Sequence, residues 1–175
     1  MLNFYRSYLY IRSLPVPIIA AIKGPAIGAG LCLALACDIR ITGFKSKLGL
    51  TFCSLGLHPG MGCTHFLPNI VGSENSKRLL FTADTISGVE ALSIGLVSEA
   101  HEQDDVITRA GILAARIAQN SPLAVQQCVK TLRDTENLDL EKILQREADA
   151  QAMCYASKDF FEGINANKER RMPNF

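Results

Sequence analysis

Apolar and polar positions follow two rhythms along the 175 residues. Pro17 to Ile22 is a β-branched and apolar run, Gly24-Pro25 stops it, and after Gly28-Ala29-Gly30 a second apolar run extends from Leu31 to Cys37. The pattern predicts a strand that enters a glycine-rich turn opening onto a helix. The opening stretch MLNFYRSYLYIRSLPVP reads as a helix before that strand. Further on, Ile39 to Thr42 reads as a short strand and Lys47 to Phe52 as a strand edge leading into a loop. Gly62 to Ile70 and Ser73 to Thr82 read as helices. Ser87-Gly-Val-Glu90 has the spacing of a capping box for a helix from Val89 to Ile94, with Leu96-Val97 as a brief strand after it. Val106 to Gln119 has helical apolar spacing. Ser121-Pro122 supplies an N-cap and a proline at the first helical position of a helix running to about Arg133, and a last helix spans Asp139 to Tyr155. Strands alternating with helices imply an α/β core. No internal repeat appears, and the linker candidates are Asn120 and the polar turn Asp134 to Asn137.

Composition narrows the function classes. With 48% hydrophobic residues the chain can bury a core of its own, enough for one domain or slightly more. Lysine plus arginine number 18 against 17 acidic residues, interleaved, so the charge carries no footprint of a nucleic-acid binder. Six cysteines show no Cys-x-x-Cys pair and no ligand-like spacing with histidine or carboxylate. This fits a reduced intracellular protein, mitochondrial or cytoplasmic, without structural metal. Leu14 to Ile39 is apolar enough to suggest a membrane span, but Lys23, the early prolines and the glycine turn argue against one. The start carries Arg6 and Arg12 and no acidic residue, as a mitochondrial presequence would, though the pre-strand helix accounts for it better. No secretory signal is visible, and Pro173-Asn174-Phe175 is not a peroxisomal tripeptide.

The glycine turn is the first place to look for chemistry. The first turn of a helix holds amide donors without intrahelical acceptors, which favour negative charge on a phosphate or on an oxygen that becomes anionic during reaction. Here the glycines read GxxxGxG. That is neither the dinucleotide fingerprint nor a P-loop, so nucleotide-phosphate readings lose ground.

Four blocks in order carry a resemblance: IAAIKGPAIGAGLCLALACDIRI, LGLTFCSLGLHPGMGCTHFLPNIVG, LLFTADTISGVEALSIGLVSEA and FFEGINANKERRMPNF. Through them the chain resembles the enoyl-CoA hydratase/isomerase (crotonase) family. The likeness covers nearly the whole chain but only the later part of a typical member. It implies a crotonase-like (ClpP/crotonase) spiral α/β core, incomplete at the N-terminus, in residues 1–120, and a C-terminal helical trimerisation region in residues 121–175. By the same resemblance the ligand is an acyl-CoA thioester, which is substrate or ligand with no other cofactor and no metal. Two backbone amides would polarise its carbonyl and hold the enolate-like oxyanion. Ala29 N–H matches one donor, and Ile27, Gly28, Gly30, Phe52, Leu55, His58 and Gly60 match positions lining the substrate. The other donor in relatives comes from a loop after an early strand, and the adenine end of the CoA site also lies upstream. Self-association, as a homotrimer or a dimer of trimers, is a further implication, and the apolar positions Leu140, Ile143 and Leu144 equally suit packing within one chain.

The match also shows departures. Hydratases of the family use two glutamates, and their positions fall on Cys32 and Phe52; the aspartate of dienoyl isomerases falls on Gly60. Hydration needs one group to activate water and one to protonate the α-carbon. Phe52 has no proton to exchange, and Cys32 is either a nucleophile in need of an activating partner or a small buried apolar residue. His58 is a pocket candidate or a loop histidine facing solvent, His65 packs or faces solvent, His101 is a surface residue, and Asp38 is an acid or a turn cap. Lys168, Arg170 and Arg171 would meet CoA phosphates or form a solvated basic tail. Two functions are open. One is an acyl-CoA-binding family member of fatty-acid or branched-chain metabolism that stabilises a thioester enolate. The other is a crotonase-fold module that binds acyl-CoA or protein without chemistry, or a truncated fragment with neither property.

Overall fold

In the computed structural model, residues 2–134, 149 and 153–175 are described. Helix α1 (Leu2–Tyr8) continues into a 3-10 turn (Leu9–Ser13) ahead of β1 (Ile19–Ile22). Strand β2 (Ala26–Ile27) leads directly into α2 (Ala29–Leu35), followed by β3 (Ile39–Gly43), β4 (Lys47–Gly49) and a 3-10 turn (Cys53–Leu55). The remainder is α3 (Cys63–Thr82), β5 (Thr85–Ser87), α4 (Gly88–Ser93), β6 (Glu99–His101), α5 (Val106–Ala118), α6 (Pro122–Asp134) and α7 (Lys158–Glu169). The predicted helix from Asp139 to Tyr155, the turn after Asp134, and Leu140, Ile143 and Leu144 lie largely or wholly outside the described residues.

Among the described residues the strands form two sheets. One is all parallel in the order β1-β3-β6; the other joins β2 and β4 in parallel and β4 and β5 antiparallel. Asp38 sets the register of the first pair: its carboxylate accepts from Ile18 N–H at 2.7 Å, while the Ile18 carbonyl accepts from Asp38 N–H and Ile39 N–H. Asp38 is thus the turn cap of the two sequence readings. Cys32, Leu35, Leu48, Leu67, Ala91 and Leu96 have at most 1% of their surface exposed and form the centre of the core, which α2, α3 and both sheets share.

Several expectations need correction. The brief strand is not Leu96-Val97 but Glu99–His101. Gly95 turns left-handed at the end of α4, Leu96 and Val97 are buried as plugs, and pairing resumes only where Ser98 N–H reaches the Arg40 carbonyl. Strands β2 and β5, of two and three residues, are too short to leave a hydrophobic period. The two helices expected on either side of Gly72 are both present as the two arms of α3, which breaks at Gly72 (φ 76°, ψ 169°), a conformation that suits glycine. Ser87 caps α4 by accepting from Glu90 N–H at 3.1 Å, but the capping box is half made, because the Glu90 carboxylate pairs with Arg78 instead. Ser121 caps α6 through Ala124 N–H.

The chain divides into two compact units. The first comprises residues 1–13 and 18–111 and holds both sheets; the second comprises residues 14–17 and 112–175. Within the second, Arg133 donates to the carbonyls of Leu14 and Val16, and the Ser121 hydroxyl donates to the Asp159 carboxylate at 2.6 Å. Arg171 is held by Glu162 and Glu169, which stabilise its charge, and its guanidinium, with the Asn174 amide, lowers the Glu162 carboxyl to about 2. Of the three cations of the basic tail, this one is already engaged within its own segment.

Candidate acyl-thioester site

The site is built where β2 and β4 end side by side. Their pairing places Ile27 opposite Gly49, and one further bond, Gly28 N–H to the Gly49 carbonyl at 2.8 Å, carries the ladder past the strand end. Gly28 can make that bond because it adopts φ 55° and ψ −116°, open to a residue without a Cβ. The chain then turns into α2 with Ala29 as its first residue. Ala29 is exposed, and no acceptor for its N–H occurs among the described residues. As the first residue of the helix, Ala29 has no intrahelical acceptor for its amide. α2 has only seven residues, so its dipole adds little and the amide itself matters most.

The loop after β4 lies beside this turn. Phe52 is half-buried and packs against the core, whereas Leu55, on the 3-10 turn, is 71% exposed. His58 is exposed too, and its Nδ1 lies 2.7 Å from the Pro59 carbonyl oxygen, a contact within its own loop. The loop returns at Gly60, whose carbonyl accepts from Cys32 Sγ at 3.7 Å and from Cys63 N–H at 3.2 Å. The structure therefore brings Gly28, Ala29, Cys32, Phe52 and Gly60 onto adjoining segments of one unit and leaves Leu55 and His58 on its outer loop. His65 is exposed with its ring edge-on to Phe66. His101 is half-buried on β6 with Nε2 2.6 Å from the Glu99 carboxylate, which it holds below the usual carboxylate range.

Three residues that the sequence did not single out surround Cys32. Cys63 is its side-chain partner, the Tyr8 hydroxyl donates to the Met61 carbonyl, and a Cβ on Gly60 would meet the Tyr5 hydroxyl at 2.5 Å. Two thiols and two phenols thus gather around Gly60 and Met61, beside the residue that the resemblance matches to a glutamate. Burial, reinforced by Cys32 and Cys63, pushes the Tyr8 hydroxyl up to about 12. Tyr5 and Tyr8 stand three residues apart on α1, the one local sign that both face the same neighbour.

On the other face of α2, a groove of about 380 Å³ runs along β1, lined by Ala20, Ala21, Leu33 and Ala34, with Lys23 at one end. β1 pairs only with β3 among the described residues. Since Ile18 and Ile22 turn their carbonyls toward β3, strand alternation turns the amides and carbonyls of Ile19 and Ala21 to the open edge. No helix among the described residues is long and apolar enough to cross a membrane, and no three potential metal ligands gather among them.

A strand, a glycine turn with a free amide and a loop closing on the following helix define the class of protein, and comparison with known proteins gives the family. The enoyl-CoA hydratase/isomerase family model matches residues 1–175. A probable enoyl-CoA hydratase of Bacillus subtilis is 42% identical over 166 residues, covering 94% of this chain and 64% of that protein. The human mitochondrial methylglutaconyl-CoA hydratase is 38% identical over 169 residues, covering 94% of this chain and 50% of its own. The crystal structure of an enoyl-CoA hydratase from Bacillus anthracis superposes with a TM-score of 0.95 at 37% identity, over 98% of this chain and 66% of that one. The chain belongs to the enoyl-CoA hydratase/isomerase family and has the crotonase fold. It spans between half and two thirds of the length of these relatives.

Proposed function

We propose that this chain binds an acyl-CoA thioester with the carbonyl oxygen on the Ala29 amide, and that on its own it hydrates an enoyl-CoA poorly or not at all. The observation that carries the reading is that Ala29 is exposed and opens α2 with no acceptor for its N–H among the described residues, directly after the Gly28 to Gly49 bond. Such an amide polarises a thioester and stabilises the enolate that forms when a proton leaves or joins the α-carbon. Ile27, Gly28, Gly30, Phe52 and Gly60 would border the acyl chain, with Leu55 and His58 reaching it only by movement of their loop. The ligand is the CoA ester itself, with no further cofactor.

Chemistry is limited by what stands beside that amide. At the two positions matched to glutamates, Phe52 has no exchangeable proton and Cys32 is fully buried with its thiol pushed up by Cys63 and by burial. Removing one oxyanion donor costs about 10²- to 10³-fold in rate. A second amide would have to come from a segment joining the sheet, for which the open edge of β1 offers amides and carbonyls at Ile19 and Ala21. With such a segment, the chain would work as an enolate-stabilising enzyme of fatty-acid or branched-chain acyl-CoA metabolism. Assembly as a homotrimer or a dimer of trimers through the region after residue 120, in a mitochondrial or cytoplasmic setting, belongs to the same proposal.

Calorimetry with crotonyl-CoA and a spectrophotometric hydration assay on the same preparation test it. Saturable binding with hydration at the buffer rate is the expected result. Hydration at the rate of an ordinary hydratase would overturn the reading, as would the absence of any binding.

A further inference from the structure

Cys32 and Cys63 stand 31 positions apart in sequence and meet in the core, the first on α2 and the second as the opening residue of α3. Neither exposes any surface, and both are reduced. They converge on a single carbonyl, since Gly60 O accepts from Cys32 Sγ at 3.7 Å and from Cys63 N–H at 3.2 Å. The two thiols are neighbours, and this proximity divides their acidity: it favours the Cys63 thiolate, which amides at the start of α3 also stabilise, and with burial it raises Cys32.

The turn that leads into Cys63 is left-handed at two successive residues, Met61 (φ 56°) and Gly62 (φ 74°), the first a non-glycine residue in a region that L side chains rarely adopt. For a peroxide to reach Cys63, this two-residue turn would have to open.

We propose that Cys32 and Cys63 are a paired oxidation site, which a small hydroperoxide converts into a disulfide stapling α2 to α3. The Cys63 thiolate attacks one peroxide oxygen, breaking the O–O bond to give a sulfenic acid and hydroxide. Cys32 then gives up its proton and attacks the sulfenic sulphur, and the displaced hydroxide leaves as water. Overall two thiols and one hydroperoxide give one disulfide, water and the reduced peroxide product, so no further oxidant is needed. The staple would fix the helix that carries Ala29 to the turn at Gly60. The inference stands on the thiol pair and does not depend on the acyl-CoA reading.

The test treats the reduced full chain with hydrogen peroxide under native conditions, blocks remaining thiols, and digests with trypsin without reduction. The relevant fragments are residues 24–40, with Cys32 and Cys37, and residues 48–77, with Cys53 and Cys63. The expected result is an intact mass lower by two hydrogens, a linked pair of these fragments, and fragmentation that places the bridge at Cys32 and Cys63. The oxidised chain should melt higher, and a reductant should reverse this. Cys37→Ala and Cys53→Ala should keep the bridge, and Cys63→Ala should remove it. The wild-type map decides alone if a variant does not fold. A bridge through Cys37 or Cys53, or two fragments recovered unlinked with both thiols blocked or over-oxidised, overturns the proposal.

Discussion

Ala29→Pro isolates the one amide on which the acyl-thioester reading turns. Proline at the first position of a helix is well tolerated, because its fixed φ suits that position and the missing N–H has no intrahelical acceptor there. In this chain that N–H has no acceptor among the described residues, and the bond anchoring the turn belongs to Gly28, so the substitution deletes a donor and little else. A hydrogen bond to a neutral carbonyl contributes about 0.5–1.5 kcal/mol net. Ala29 is exposed, so water competes for the amide, and about 1 kcal/mol, or roughly a fivefold weaker Kd, is the expected loss for crotonyl-CoA. A bond to a charged oxygen contributes about 1.5–3 kcal/mol, so enolised acetoacetyl-CoA should lose between about 10- and 150-fold. Calorimetric titration with both esters, alongside a melting curve, reads the contrast. If Ala29→Pro melts like the parent and binds both esters equally well, the amide does not face the thioester oxygen and the reasoning fails.

Two further outcomes follow from the same region. Gly28→Ala should lower stability by roughly 1–3 kcal/mol in a denaturant titration, because φ 55° with ψ −116° is strained for any residue with a Cβ even though that Cβ would meet no neighbour; an unchanged midpoint would show that the turn relaxes freely. The Tyr8 hydroxyl, at about 12 folded against 10.0 for a free phenol, holds its proton more tightly in the folded state. Its contribution is therefore complete below pH 10 and lost between about 10 and 12, and Tyr8→Phe should flatten the fall in melting temperature across that window, whereas identical profiles would refute a phenol bonded to the Met61 carbonyl.

Much of the local structure around the glycine turn was legible in the sequence, and the particular residues show why. Gly28-Ala29-Gly30 after an apolar strand marks a helix start with a free amide by local chemistry alone, and the strand and helix appear within two residues of where the pattern places them. That residues 32 and 52 are not carboxylates was equally plain, because it needs only residue identities. The surroundings of Cys32 were not. Cys63 and Tyr8 approach it from 31 and 24 positions away, and neither carries a signal that names its partner. Asp38, ambiguous as acid or cap, resolves as a cap only once β1 and β3 lie in register and Ile18 N–H comes to its carboxylate.

The sequence by itself determined the alternation of strands and helices, the family, the amide at Ala29 and the lack of a carboxylate at residues 32 and 52, since each depends on residue type or on neighbours within a turn. Only the tertiary structure decided that Gly49 takes the Gly28 amide, that two thiols and two phenols gather around Gly60, and that among the described residues one edge of β1 stays unpaired. Those arrangements depend on contacts between segments distant along the chain, which close packing fixes and no local period encodes.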